Sequence, residues 1–180
     1  MATDVITLIT HDHRTVESLF ERLKKGAGDP SAAVAELRAL LTAHARAEED
    51  RVYPGLDAHH GVEEHKEAEV LLDALVRAQP GTPEFAETLD QLVESVSHHV
   101  QEEETTLLPA LARTASEAEL RELGKAFLQR REEELRALKG GGAAEPTKAE
   151  LYEQAKQADI PGRSQMDKDE LQEALSRAKS

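Results

Sequence analysis

Apolar residues recur every three or four positions along most of the chain, which is the spacing of one face of a helix. Short turns separate these rows, so consecutive helices are expected to pack as antiparallel neighbours. The pattern predicts an all-α fold over residues 1–138, an up-down four-helix bundle with a fifth helix. The rows are Val5, Ile9, Val16, Phe20 and Leu23; Val34, Leu37 and Leu41; Val62, Leu72 and Val76; Phe85, Leu89, Leu92 and Val96; and Leu120, Leu123, Phe127 and Leu138.

Residues at the predicted helix ends support these boundaries. Two kinds of start signal occur. An Asp or Thr before a Pro begins a helix because its side chain accepts from a free backbone N–H group and the Pro has none. A Ser followed three residues later by a Glu begins a helix because the two side chains accept from each other's backbone N–H groups. These signals occur as Asp29-Pro30, Thr82-Pro83 and Ser116 with Glu119. The third helix is predicted to begin near Gly61, after a turn at residues 58–61. Pro54 and Pro109 are predicted to end or bend the second and fourth helices.

The chain after residue 138 has a different character. Residues 139–146 contain GGGAAEP, a composition typical of a flexible linker. Residues 147–180 predict two short helices around the turn IPGRSQM, and TKAELYEQAK, DIPGRSQM and KDELQEAL resemble the SAP-like helix-extended-helix module at the N-terminus of the Rho termination factor. This segment has six basic and seven acidic residues and no aromatic pair, which favours a protein partner over nucleic acid. A small appendage without a binding role is the alternative.

Composition narrows the classes of protein and of site. The chain has 22 basic and 36 acidic residues, a net charge of −14 that opposes nucleic-acid binding. It has neither a membrane-length apolar run nor a signal-type N-terminus, so a cytoplasmic protein without a membrane span is expected. With no cysteine there are no disulfides, thiolate metal sites or iron–sulfur clusters. Any metal is therefore expected to be held by nitrogen and oxygen.

Polar residues interrupt or extend four of the apolar rows without breaking the helical period. A buried imidazole or carboxylate costs several kcal/mol unless it has a partner, so a core that repeats both is expected to hold something that satisfies them. The stretch HARAEEDRVYPGL, residues 44–56, also recurs as HVQEEETTLLPAL, residues 99–111. The predicted inward-facing set is His13, His44 with Glu48, His65 with Glu69, and His99 with Glu103.

This set predicts a metal centre. Residues four apart lie on the same face of a helix, so each His-x3-Glu pair can reach one point. Four imidazoles and three carboxylates exceed the ligands of one tetrahedral ion. Two five- or six-coordinate ions that share carboxylates use the whole set, and a helix-bundle core is where such sites occur. A zinc-stabilised bundle is the alternative.

The motifs HDHR (11–14), HARAEEDRVYP (44–54), EEHKEAE (63–69) and HHVQEEETTLLP (98–109) resemble the hemerythrin-like, HHE cation-binding family over about residues 1–138. The resemblance implies an oxo- or hydroxo-bridged pair of iron ions. It assigns His13 and His44 to one iron, and His65, Glu69 and His99 to the other. Glu48 and Glu103 would bridge the pair.

Two differences from oxygen-carrying hemerythrins bear on function. Glu69 replaces a second histidine, and Glu103 stands four residues after His99 where those proteins have an Asp at five. The added negative charge favours iron(III), which makes reversible oxygen carriage less favourable. The resemblance therefore implies reaction with peroxide, nitric oxide or dioxygen, a catalase- or peroxidase-like role in oxidative or nitrosative stress. Oxygen or iron sensing without turnover is the alternative.

Other polar residues near these motifs are assigned outside the ligand set. His98 lies one position off the row and is predicted to be exposed or to support His99. His60 and Glu64 have ligand spacing, but the predicted turn and the phase of the third row exclude them. Tyr53 is predicted either to pack at a helix end or to donate a hydrogen bond or a radical near the metals. Four acidic residues are predicted to be solvated or to hydrogen-bond ligand imidazoles: Glu49, Asp50, Glu102 and Glu104.

Overall fold

A computed structural model describes residues 3–56, 58–139 and the single residues 158, 160, 174 and 175. The helices are α1 (Val5–Lys24), α2 (Pro30–Arg51), α3 (His59–Arg77), α4 (Pro83–Glu102), α5 (Leu108–Thr114) and α6 (Glu117–Lys139). A 3₁₀ turn covers Tyr53–Gly55, and a π-helix covers Glu103–Leu107. No strand occurs in the described ranges, which confirms the all-α prediction. None of the helices there is long and apolar enough to cross a bilayer.

The capping signals begin the helices that they predicted. The Asp29 carboxylate accepts a hydrogen bond from the Ser31 backbone N–H at 2.9 Å, and the Thr82 hydroxyl accepts one from Phe85 at 3.2 Å. Ser116 and Glu119 form a reciprocal pair before α6, with Ser116 N–H donating to Glu119 at 2.7 Å. These bonds satisfy N–H groups that have no partner inside a helix.

The first four helices form a closed bundle. Helix α1 packs against α2, α2 against α3, α3 against α4, and α4 against α1. Two apolar clusters fill its interior. The upper cluster includes Val16, Leu37, Leu72, Leu92 and Val96. The lower cluster contains residues of α1, α2, α5 and α6, among them Val5, Ile9, Ala47, Leu111 and Phe127.

A layer of buried polar side chains lies between the two clusters. On α1, Asp12 and His13 follow Ile9 of the lower cluster and precede Val16 of the upper one. On α2, His44 follows Leu40 of the upper cluster in the same way. The layer therefore crosses the bundle at one level.

Helix α3 departs from the prediction in its start and its phase. It begins at His59 rather than near Gly61, so residues 59–61 are helical and the predicted turn at residues 58–61 is wrong. Val76 of the predicted row is exposed, as is Leu138 of the last row. The buried positions of α3 are Gly61, Glu64, Leu72 and Leu75. This inner face includes Glu64 because it is turned by about one position from the row assumed from the sequence.

Around Pro109, where the fourth helix is predicted to end or bend, the chain continues as helices of different type. Helix α4 stops at Glu102, a π-helix follows, and α5 begins at Leu108, so the chain stays helical to Thr114. Pro109 lies in the first turn of α5, where a missing N–H is tolerated. The π-helix begins at Glu103, one of the predicted ligands.

The chain divides into two compact units, Met1–Arg136 and Ala137–Ser180. Helix α6 packs closely on the bundle within the first unit: a Cβ atom added at Gly124 would lie 2.5 Å from the backbone oxygen of Thr3. Apart from residue 139 and the four single residues, the predicted linker (139–146) and C-terminal module (147–180) lie outside the described residues.

Candidate metal centre

Four polar side chains from three helical segments meet at the first part of the site. His13 comes from α1, His44 and Glu48 from α2, and Glu103 from the start of the π-helix. One ligand atom of each lies within 4.8 Å of all the others, and all four residues are buried. His13 Nε2 is 3.2 Å from Glu103 Oε2, and His44 Nε2 is 3.0 Å from Glu48 Oε1. This set is called the first ligand group.

The second ligand group consists of Glu48, His65 and His99. His65 Nε2 lies 3.3 Å from Glu48 Oε2 and 3.2 Å from His99 Nε2. Glu103 is close to this group as well, with Oε2 at 3.9 Å from His99 Nε2. Glu48 is shared by both groups, and its two oxygens face different ones: Oε1 faces His44 and Oε2 faces His65.

Each of the four histidines has a carboxylate at its other ring nitrogen. The Nδ1 atoms lie 2.8 Å from Glu104 at His13, 3.3 Å from Asp12 at His44, 3.0 Å from Glu49 at His65 and 2.9 Å from Glu64 at His99. A carboxylate there accepts Nδ1–H, fixes the ring orientation and makes Nε2 a better ligand. All four imidazoles are thus arranged to present Nε2 to the centre.

Two of these carboxylates were expected and two were missed. Glu49 and Glu104 had been assigned as solvated residues or partners of the imidazoles, and both hydrogen-bond ligand-group histidines. Asp12 falls three residues after Ile9 on the buried face of α1, a spacing that could have revealed it. Glu64 was excluded by the assumed turn before Gly61. The true phase of α3 makes it buried.

Charge interactions between the groups shift several pKa values. Burial alone would lower the pKa of His44, but Glu48 and the hydrogen bond with Asp12 outweigh it and raise the pKa to about 10. The pKa of His65 is raised to about 9, against the effect of burial, by hydrogen bonds with Glu48 and Glu49. Burial would raise the pKa of Glu48, yet His44 and His65 hold it well below its usual value. Without a metal, His44 and His65 therefore form imidazolium–carboxylate pairs that help to hold the layer together.

The residues of the first ligand group fit a metal ion. Four buried atoms face the centre and make no hydrogen bond: His13 Nε2, His44 Nε2, Glu48 Oε1 and Glu103 Oε2. They lie as two nitrogen–oxygen pairs 3.2 Å and 3.0 Å apart, but without hydrogen-bond geometry. Glu48 and Glu103 are 0% and 1% exposed, so water cannot satisfy them at the surface. Buried polar atoms without hydrogen bonds are costly, and a cation bound among these four atoms would satisfy all of them. Their nitrogen and oxygen chemistry suits a first-row transition metal.

Tyr53 lies beside the carboxylates shared by the site. It is buried, and its hydroxyl is 3.4 Å from Glu48 Oε2 and 3.3 Å from Glu103 Oε1, close enough to donate to either. Burial and the two negative charges raise its pKa, which keeps the phenol protonated. Its ring also stacks on His65 with centroids 5.6 Å apart. Tyr53 therefore packs at the end of α2 and also presents a proton to the centre.

A cavity of about 180 Å³ adjoins the polar layer. All four ligand-group histidines line it, together with apolar residues that include Val16, Leu72 and Val96. It is large enough for several water-sized molecules. Glu69 also lines this cavity, but its side chain is exposed and it belongs to neither ligand group. The geometry thus brings together six of the seven predicted ligands and leaves Glu69 at the cavity.

Fold and site together define a helical-bundle protein whose core can bind metal cations. The family model of the hemerythrin HHE cation binding domain matches residues 4–111, more than half of the chain. The chain therefore belongs to this family.

Two known proteins are similar to the chain. The crystal structure of a hemerythrin HHE cation binding domain-containing protein from Mycobacterium kansasii has a TM-score of 0.66 at 21% identity and covers 98% of this chain and 99% of that one, which shows a shared fold. A protein named DNA nickase from Nostoc sp. is 33% identical over an alignment of 119 positions, which covers 61% of this chain and 34% of that protein. The chain thus spans about a third of the nickase.

Proposed function

We propose that the polar layer holds two iron ions and that the protein reacts with peroxide, nitric oxide or dioxygen at this centre. The observation that carries the proposal is the position of Glu48. Its carboxylate is fully buried and faces an imidazole of each ligand group, at 3.0 Å and 3.3 Å. A carboxylate placed in this way can bridge two metal ions.

The ligand set favours a pair of ions over a single one. Glu48 belongs to both ligand groups. The first group also contains His13, His44 and Glu103, and the second also contains His65 and His99. One tetrahedral zinc ion would use the first ligand group and leave two imidazole nitrogens facing each other at 3.2 Å. Two ions that accept five or six ligands use both groups and both carboxylates.

The surrounding residues favour a centre poised toward the oxidised state. Every ligand-group imidazole has a carboxylate at Nδ1, which increases its donation to a metal. An iron pair would supply the redox chemistry for small oxidants. The chain would supply the rest: the cavity admits a small molecule, its apolar walls limit bulk water, and the Tyr53 hydroxyl holds a proton 3.3 to 3.4 Å from the shared carboxylates.

Glu69 is proposed to act from the cavity rather than from the centre. It stands four residues after His65 on α3, and its exposed carboxylate lines the space through which a small molecule would approach. There it would attract cations and repel anions. The net charge of −14 opposes contact with DNA, so the activity named for the Nostoc relative is not proposed for this chain.

The test combines metal content with turnover. The purified full chain, supplied with iron and zinc together, is expected to hold about two irons per chain and to consume peroxide or nitric oxide catalytically. Glu48→Gln should lose both properties because it removes the shared ligand. Glu67→Gln, an exposed substitution on α3, is the matched control and should keep them. A chain that takes up zinc but no iron would refute the iron pair, and a reversible spectral change without turnover would favour sensing over catalysis.

A further inference from the structure

A second cluster of potential ligands lies outside the polar layer, on α3 and α4. His60 and Glu64 are four residues apart on α3, and His98 and Glu102 are four apart on α4, so each pair shares a helix face. One ligand atom of each residue lies within 4.8 Å of the other three. His60 Nε2 is 3.7 Å from Glu64 Oε1 and 3.8 Å from Glu102 Oε2. His98 Nε2 is 3.6 Å and 4.0 Å from the same two oxygens.

Glu64 sets this cluster apart from an ordinary group of surface charges. Its side chain is 9% exposed, and its two oxygens have different surroundings. Oε2 accepts a hydrogen bond from His99 Nδ1 at 2.9 Å. Oε1 is buried, makes no hydrogen bond and is directed at the two exposed histidines. A buried carboxylate oxygen without a hydrogen bond is costly, and its orientation toward two imidazoles suits a bound cation.

The separations suit a tetrahedral ion better than hydrogen bonds. At 3.6 to 4.0 Å the four nitrogen–oxygen pairs are too long for hydrogen bonding. Ligands about 2.0–2.1 Å from a tetrahedral zinc ion lie about 3.3–3.4 Å from each other. The four nitrogen–oxygen distances exceed this value by a few tenths of an ångström, and the other ligand atoms lie within 4.8 Å of each other. The histidine side chains are 63% and 68% exposed, so their rings can rotate toward a shared ion. The other ring nitrogen of His60, Nδ1, lies 3.9 Å from Glu63, too far for a hydrogen bond that would fix the ring orientation.

We propose that His60, Glu64, His98 and Glu102 form a peripheral binding site for one divalent cation of the zinc class. Two imidazole nitrogens and two carboxylate oxygens are ligands that Zn²⁺ accepts in a four-coordinate site. Since the site has no thiolate ligand, it has no preference for soft ions such as Cu⁺. This site is distinct from both ligand groups because none of its four residues belongs to either one.

Glu64 also joins the peripheral site to the polar layer, a consequence that rests on the proposed function. A cation on Oε1 withdraws negative charge from the carboxylate whose Oε2 accepts from His99. His99 then becomes a weaker donor to its metal, since the basicity of a ligating imidazole depends on its outer partner. Zn²⁺ at the surface would thereby tune the core centre, and the core would alter zinc affinity in return.

The site is tested by counting zinc ions in the full-length chain with Zn²⁺ alone as the probe. The double variant His60→Ala/His98→Ala is expected to bind one Zn²⁺ fewer per chain than the wild type. Each single variant should weaken that ion at least about tenfold, the scale on which even outer-sphere changes act. His59→Ala is the matched control, being an exposed histidine on the same helix outside the cluster, and should bind the wild-type number. Equal zinc numbers in the wild type and the double variant would overturn the proposal.

A second background separates this site from the core. In a Glu48→Gln chain one zinc ion should persist at the periphery and be lost on adding the two histidine substitutions, even if the iron pair itself proves wrong. Co²⁺ in the same background should give the visible absorption of a tetrahedral site, and its absence would contradict the geometry. For the coupling, Zn²⁺ should shift the optical spectrum of the iron-loaded wild type and leave that of the double variant unchanged. An identical response of both would refute the link through Glu64.

Discussion

Arg131 on α6 gives the sharpest prediction about how the centre is supported. Its Nε and Nη2 atoms donate to the two oxygens of Asp12 at 2.6 Å and 2.8 Å. Asp12 Oδ2 in turn lies 3.3 Å from His44 Nδ1. A residue of α6, beyond the segment matched by the family model, is therefore connected through one buried carboxylate to a proposed metal ligand.

Replacing Arg131 with Ala would leave Asp12 buried with His44 as its remaining charged partner. Breaking a fully buried ion pair costs about 3–5 kcal/mol. The Arg131 side chain is 21% exposed, so water compensates in part and a loss of about 2–3 kcal/mol is expected. For a chain of this size that lowers the midpoint of thermal unfolding by about 4–12 °C. The affinity for metal should fall about 10- to 100-fold, because Asp12 no longer holds the His44 ring firmly.

The assay is thermal unfolding of the metal-free chain by circular dichroism, followed by metal titration of the same samples. Arg136→Ala is the matched control, since that side chain is 73% exposed and pairs with Glu132 on its own helix. The control is expected to leave stability and affinity nearly unchanged. Arg131→Lys should recover part of the stability, because one ammonium replaces a two-pronged guanidinium. The reasoning is refuted if the Arg131→Ala and Arg136→Ala chains unfold together and bind metal equally.

Four further outcomes follow from the geometry. Metal binding at pH 7.5 should release about two protons per chain, because the metal-free pKa values of His44 and His65 are raised to about 10 and about 9. Calorimetry in two buffers of different ionisation enthalpy measures the number of protons released. Release of well below one proton would contradict the assignment of these histidines as ligands. Because these pKa values are raised in the folded state, their stabilisation of the metal-free fold is complete below about pH 6.5. The unfolding midpoint should therefore fall as the pH rises from 6.5 toward 10. A midpoint that rises over this range would contradict the raised pKa values. Glu69→Gln should change the rate of reaction with small oxidants and keep the iron content, whereas a drop to one iron per chain would make Glu69 a ligand. Gly124→Ala should destabilise the protein although alanine favours helices, since the added Cβ would lie 2.5 Å from the backbone oxygen of Thr3; a higher unfolding midpoint would show that the two segments separate easily.

The fold was predictable because each helix carries both a periodic apolar face and a start signal. Helices α2 and α4 were the clearest, since a repeated motif extends their rows directly into His44 and Glu48 and into His99 and Glu103. The structure brings these four residues together with His13 and His65. The C-terminal resemblance to a SAP-like module, the proposed protein partner and the cytoplasmic location stay predictions.

Helix α3 shows why the rest was not predictable. The sequence predicts an apolar row through Val62, Leu72 and Val76, yet only Leu72 of the three is buried and Val76 is 43% exposed. The buried face instead includes Gly61 and Glu64. From the sequence pattern, Gly61 is predicted to lie in a turn and Glu64 to face solvent. Glu64 is buried because His99 from α4 donates to it. A partner on another helix cannot be read from the spacing within one helix.

The polar layer also determines how cooperatively the protein unfolds. It separates the apolar interior into an upper part formed by α1 to α4 and a lower part that includes α5 and Phe127 of α6. Helices α1 and α2 run through both parts, while the side chains between the two clusters are charged pairs and buried polar atoms. Because these two helices are continuous through the layer, the metal-free chain should still unfold in a single calorimetric transition. A bound metal would connect helices of both parts and should raise the midpoint of that transition.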